Sequence, residues 1–186
     1  INKPFDILVD NLGNILFSDL RRIWKISTDG IISTIAGNGD YHYSGDGGLA
    51  TETGLFPRGI ALDNDGNVLV SDGLSGRVRK IFADGIITTI VGGGELTQSG
   101  NSELATDIEL IYPWDVVMDP AGNIFVSELN NNCITKINTF GLVTPVLGAT
   151  CNNMLVGLEK PKNLIVNISG DLIVSTNDTQ LLRITR

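Results

Sequence analysis

The sequence predicts an all-β protein, a β-propeller of four-stranded antiparallel blades, on three observations. The first is a repeat: Pro4, Pro57, Pro113 and Pro161 stand 53, 56 and 48 residues apart, and each is followed nine residues later by a glycine, Gly13, Gly66, Gly122 or Gly170. The second is that the runs between these markers are short and apolar on consecutive positions, as strands covered on both faces require. The third is that each unit continues with more polar strand-like runs. Such units suit blades sandwiched between neighbours better than a stacked solenoid.

The elements follow in order. The first strand of each unit is Ile7-Leu8-Val9, Ile60-Ala61-Leu62, Val116-Val117-Met118 or Leu164-Ile165-Val166, closed by Asp10, Asp63, Asp119 or Asn167. The second run starts after the glycine and ends at Ser18, Ser71, Ser127 or Ser175. The third is amphipathic, with Ile23 and Ile26, Val78 and Ile81, Ile134 and Ile137, and Leu181 and Ile184 flanking Lys25, Lys80, Lys136 and Arg183. Turns follow at Asp29-Gly30, Asp84-Gly85 and Phe140-Gly141, where glycine supplies the positive φ of a tight hairpin. The fourth strand is then Ile31 to Ile35, Ile86 to Ile90 and Leu142 to Val146. Pro145 cannot donate to a ladder, so that strand is expected to be an exposed edge.

The blades so drawn cover approximately 3–36, 57–91, 113–147 and 161–186 of a single domain or segment, the last without its outer strand. An uncovered edge at Leu181 to Thr185 invites pairing, by self-association or by completion from another chain or chain segment. The lack of an initiating Met points the same way, to a processed or partial chain.

Composition narrows the function. With 13 basic and 21 acidic residues the net charge is −8, and without a basic patch a nucleic acid is not an expected partner. No run reaches the roughly 18 uncharged apolar residues of a membrane span. The two cysteines and the single histidine cannot make a four-ligand zinc site.

The pattern P-x-G-I-A-L-D-x-x-G-N-x-x-V-S-D from Pro57 to Asp72, followed by R-V-R-K-I and D-G-I-I-T-T-I-V-G, resembles NHL repeats. T-I-A-G-x-G with S-G-D-G-G-x-A between Thr34 and Ala50 is similar to the inter-blade loop of their bacterial and secreted versions. The resemblance is strongest over 26–91 and weakest after 145. It implies a propeller, usually of six blades, that recognises protein, RNA or glycan-type ligands and is occasionally an enzyme. The NHL-like amidating lyases need several metal-binding histidines, which this chain lacks. Propeller lactonases hold a central calcium with carboxylates and amides, and Asp6, Asp115 and Asn163 keep that alternative open.

In a propeller the residues just after each proline, Phe5, Arg58, Trp114 and Lys162, ring the central opening, and this ring is the first candidate binding site. On the same face lie the inter-blade loops, among them GNGDYHYSGDGGLA from Gly37 to Ala50. No helix follows its glycines, so it is not a phosphate cradle. Asp40 and Asp46 offer oxygen to calcium, the one cofactor the sequence allows, without a visible six-ligand shell. Compared with the sister loop at Gly92-Gly93-Gly94, the insert is Asp40-Tyr41-His42-Tyr43, the expected contact point of this loop. A nucleophile triad would rest on His42 alone.

Cys133 begins a third strand and Cys151 follows the fourth, so both fall toward one face. A disulfide there would contribute about 3 kcal/mol and imply an oxidising compartment. The sequons at Asn167 and Asn177 agree with a secreted glycoprotein but arise easily by chance in this composition. The reading is a non-enzymatic extracellular or cell-surface module that binds protein or glycan, with a calcium-dependent hydrolase or lyase as the alternative.

Overall fold

The computed structural model describes residues 1–95, 103–144, 146, 159–177 and 180–185. Among these it has three sheets of four strands and one of three, all antiparallel and each in simple sequence order. Blade 1 is β1 (Asp6–Val9), β2 (Ile15–Ser18), β3 (Ile23–Ile26) and β4 (Ile32–Ala36). Blade 2 is β5 (Pro57–Leu62), β6 (Val68–Asp72), β7 (Arg77–Ile81) and β8 (Ile87–Gly92). Blade 3 is β9 (Pro113–Met118), β10 (Ile124–Glu128), β11 (Cys133–Ile137) and β12 (Val143–Thr144), and blade 4 is β13 (Pro161–Val166), β14 (Leu172–Thr176) and β15 (Leu181–Ile184).

The first hairpin of each blade is closed by the residue after the first apolar run. Asp63 Oδ1 accepts the amides of Asp65 and Asn67 while Asn67 Nδ2 returns a bond to its carboxylate, and Asp10 and Asp119 bond Asn14 and Asn123 in the same way. In blade 4 the pair is exchanged, with Asn167 as the acceptor and Asp171 facing it. The Asp63–Gly66 turn is therefore a capped hairpin and not a calcium loop, as its repetition implies.

Apolar side chains pack between blades rather than inside any one of them. Leu16, Ile23 and Leu8 of blade 1 meet Ile60, Val68 and Val70 of blade 2; Leu69 and Val78 meet Val116 and Val126; Phe125 and Ile134 meet Leu164 and Val174. Two faces have no such neighbour among the described residues: Ile7 and Val9 of β1 are 67% and 62% exposed, and Ile165 of β13 is 62% exposed. Their counterparts in blade 2, Ile60 and Ala61, each lie against an adjoining blade.

One expectation is overturned. The outer strands of blades 2 and 3 are not bare edges, because the described part of the loop leading into each runs down the outside of that blade and pairs with it. Gly47 N donates to Ile87 O and Ile87 N to Gly48 O, with Leu49 bridged to Ile86. On blade 3, Val143 N donates to Glu103 O and Leu104 bridges Leu142, so this edge is covered where it was expected to be exposed. Pro145 itself lies outside the described residues. The glycines of the Gly37–Ala50 loop serve this crossing: a Cβ on Gly37 would stand 2.2 Å from Arg21 O, and the φ there is +91°.

Candidate functional site

The inner strands β1, β5, β9 and β13 are tied to one another by a repeated bond set. Ser18 Oγ donates to Arg58 O at 2.6 Å, Ser71 Oγ to Trp114 O at 2.9 Å and Ser127 Oγ to Lys162 O at 2.6 Å, each crossing to the next blade. Each of these hydroxyls also accepts an amide of its own inner strand, from Asp6, Gly59 and Asp115 respectively. The serines thus act as spacers between blades, as their recurrence suggests.

Asp6 and Asp115 work the same boundary. Asp6 Oδ2 accepts from Ile60 N at 2.8 Å and Asp115 Oδ2 from Leu164 N at 2.7 Å, each on the following blade, while their Oδ1 atoms accept the amides of Ile7 and Val116. Burial pushes Asp6 above the usual carboxylate range against the pull of those amides. Burial, with the Asp6 charge adding to it, pushes Asp115 up to about 7. Asn163 holds the same slot in blade 4, is exposed, and donates its amide to Ser175 Oγ. Gly59 holds it in blade 2, and a Cβ there would meet Asp115 Oδ1 at 1.9 Å. These carboxylates are committed to backbone amides, and among the described residues no group of three or more His, Cys, Asp or Glu side chains converges.

Around this layer sits the predicted ring, and the structure brings its members together. Phe5, Arg58, Trp114 and Asn163 line one small cleft with Asp6, Gly59 and Asp115. Arg58 is 7% exposed, with its guanidinium 3.9 Å from the Phe5 ring centre and 4.2 Å from that of Phe56. Trp114 lies 4.8 Å from the same guanidinium and 5.4 Å from Lys162 Nζ. Arg58 Nη2 donates to Tyr112 Oη at 2.7 Å, and Nε is buried with no partner. Sequence reasoning missed Phe56 and Tyr112. The signal was in the repeat: both stand one residue before a blade proline, the slot that Lys3 and Lys160 occupy in the other blades. Lys3, Tyr112 and Lys160 share a positive φ of 52°, 55° and 48°, an unfavourable backbone for a side-chain-bearing residue.

The Asp40–Tyr43 insert divides. Asp40 and His42 are exposed, joined by Asp40 Oδ1 to His42 Nδ1 at 2.9 Å. Tyr41 packs against His42 with ring centres 4.3 Å apart, tilted by 33°, beside the Arg21 guanidinium. The amide of Tyr41, with the side chain and amide of His42, holds the Asp40 carboxyl below its ordinary range. Tyr43 instead lies over Arg77 at 4.0 Å and Arg79 at 4.9 Å. Asp46 is drawn into an ion pair with the fully buried Arg79 at 2.7 Å and accepts from Thr89 Oγ1, which leaves it poorly placed for calcium.

Of the remaining candidates, Cys133 is fully buried and carries no free thiol, while Cys151 lies outside the described residues. The Asn167 amide is spent on its hairpin, and the sequon of Asn177 runs into residues outside those described. Among the described residues no helix is long and apolar enough to cross a membrane.

Comparison with known proteins places this geometry. The fold is shared with solved propellers: a gluconolactonase from Xanthomonas campestris (TM-score 0.70, 15% identity, 100% of this chain and 59% of that one) and virginiamycin B lyase from Staphylococcus aureus (TM-score 0.63, 17% identity, 100% and 56%). At such identities the likeness is one of fold. Chicken teneurin-1 is 32% identical over 162 residues, 76% of this chain, and human teneurin-4 is 31% identical over the same share. The chain spans only 6% of the length of each of these relatives. The model of the teneurin NHL domain matches residues 38–186, most of the repeat array described above, and the chain therefore belongs to the teneurin NHL domain family.

Proposed function

We propose that this chain is a non-enzymatic recognition module of the cell surface, binding a protein or glycan partner through the rim and loops of one propeller face. The observation that carries the reading is the rim itself. The eight positions flanking the four blade prolines hold Lys3, Phe5, Phe56, Arg58, Tyr112, Trp114, Lys160 and Lys162, four cations and four aromatic rings on a chain of net charge −8. Exposed Tyr41 and His42 stand on the loop that leads into the same face. Teneurin relatives, which are cell-surface proteins, support the location and the class of role. The pairing of Cys133 with Cys151 belongs to this reading, and a thiol assay on the unfolded, unreduced chain would then detect no free sulfhydryl.

The open faces at Ile7, Val9 and Ile165 belong to it as well. Further blades or another chain cover them, since the solved propellers matched here are covered over only 56% and 59% of their length.

The recognition reading is tested with fluorescent protein on intact cells. A double variant of the loop face, Tyr41→Ala with Trp114→Ala, loses most cell-surface retention, while Phe140→Ser on the opposite face keeps it. Equal retention by all three proteins would refute the reading.

A further inference from the structure

We infer that the channel mouth binds a carboxylate-bearing sugar at the end of a glycan, held by Arg58 and Lys162 with the Trp114 ring between them as its platform, an assignment that rests on the recognition reading above. Lys3, Arg58, Lys160 and Lys162 stand in the proline-flanking slots, and none has an ion-pair partner among the described residues. No acidic residue occupies any of those slots. The nearest carboxylates, Asp6 and Asp115, lie one position deeper and are turned to backbone amides. Elsewhere Lys25 is paired with Asp10, Lys80 with Asp63, Arg79 with Asp46 and Arg183 with Asp171, while Arg21, Arg22 and Arg77 donate to backbone carbonyls. The rim gathers four cations in the equivalent proline-flanking slots of the blades.

Arg58 is the second, independent observation. A guanidinium more than nine-tenths buried ordinarily has a carboxylate beside it. Here it is sandwiched between Phe5 and Phe56, with one nitrogen on Tyr112 and Nε bonded to nothing. A built cation in a low-dielectric cleft, with unspent donors, fits a carboxylate supplied from outside.

The aromatic rings choose the rest of the ligand. Phe5 meets Trp114 edge to face at 6.3 Å, and the half-buried Trp114 ring is the flat apolar group of the rim that suits the C–H face of a pyranose. A peptide read by strand addition would dock on an outer strand such as β4 or β15, at the far side of its sheet from the inner strands that carry the rim, since the outer edges of blades 2 and 3 are covered by the crossing loops. A long polyanion would meet the net charge of −8 beyond the rim, whereas one terminal charge would not.

The probe is 3′-sialyllactose, with lactose as its neutral parent and an acidic hexapeptide as the protein-like competitor, followed by Trp114 fluorescence in a Trp24→Phe background. Saturable binding of sialyllactose is expected, with lactose at least about tenfold weaker, the worth of one charge-assisted bond. Lys162→Gln and Arg58→Lys each weaken it by about five- to tenfold with unfolding midpoints retained, and Lys136→Gln, away from the rim, leaves it unchanged. Comparable affinity for lactose, tighter binding of the hexapeptide, or no loss in Lys162→Gln would overturn the assignment. If sialyllactose does not bind while the loop-face variant still loses cell-surface retention, the ligand class is wrong and the recognition reading stands.

Discussion

Arg79, wholly buried in β7, is held from the neighbouring blade's loop by Asp46, whose Oδ1 lies 2.7 Å from Nη2. Gly45 O accepts from the same nitrogen at 2.6 Å, and Tyr43 covers the guanidinium. Asp72, also buried, is 4.0 Å away, close enough to share charge but not to hydrogen-bond. The loop that leaves blade 1 is in this way clamped onto blade 2 by its acidic glycine turn. Asp46→Ala removes the only carboxylate among the described residues that is hydrogen-bonded to this buried cation, so a loss of about 1.5–3 kcal/mol is expected in chemical denaturation. A change within error would show that Asp72 alone suffices.

Gly59 is required for packing rather than for turn geometry. Its φ is not in the left-handed region, but a Cβ would fall 1.9 Å from Asp115 Oδ1 and 2.7 Å from Asp115 Cα. Because backbone as well as side chain must move, Gly59→Ala is expected to cost about 1–3 kcal/mol and to lower the thermal midpoint. The same substitution at Gly30, where no atom lies within 4 Å, tests φ strain alone.

Asp115 makes stability depend on pH. Its native carboxyl is pushed up to about 7 from a reference of 3.8, so between these values the folded protein keeps a proton that the unfolded chain has released. Stability from this group is complete below the lower value and is lost as pH rises through the upper one. Asp6 and Asp72, also raised by burial, act in the same direction. Asp10, Asp19 and Asp63 are lowered, and their contribution is lost only on acidification below the ordinary carboxylate range. Urea midpoints should therefore fall from about pH 4.5 to about pH 7.5 in the native sequence. Asp115→Asn should flatten that fall, and an unchanged slope would assign it elsewhere.

The uncovered blade faces set the solution behaviour of this chain. Ile7, Val9 and Ile165 point where another blade would sit, and burying one such side chain is worth about 1.5–3 kcal/mol. The isolated 186-residue chain is expected to self-associate at micromolar concentration, with Ile7→Lys and Ile165→Lys together restoring a monomer by light scattering. A monodisperse folded monomer from the native sequence would refute the assembly part of the proposal.

Much of this was legible along the chain because a propeller writes its phase into the sequence. Proline, apolar run, capped hairpin and serine recur in register, so strand order, hairpin turns and the spacer role of Ser18, Ser71 and Ser127 follow from spacing, as does the gathering of Phe5, Arg58 and Trp114. What tertiary structure decided is how neighbouring blades spend their polar groups. Asp6 and Asp115 look like metal ligands in sequence, yet they satisfy Ile60 and Leu164 across a boundary. Asp46 looks like part of an acidic loop, yet it neutralises an arginine 33 positions away. Phe56 and Tyr112 look like linker residues until the curvature of the blade stack closes them on Arg58. Local periodicity is dictated by the alternation of apolar and polar residues within one blade, whereas partners across a blade boundary depend on distances that only the packed stack establishes.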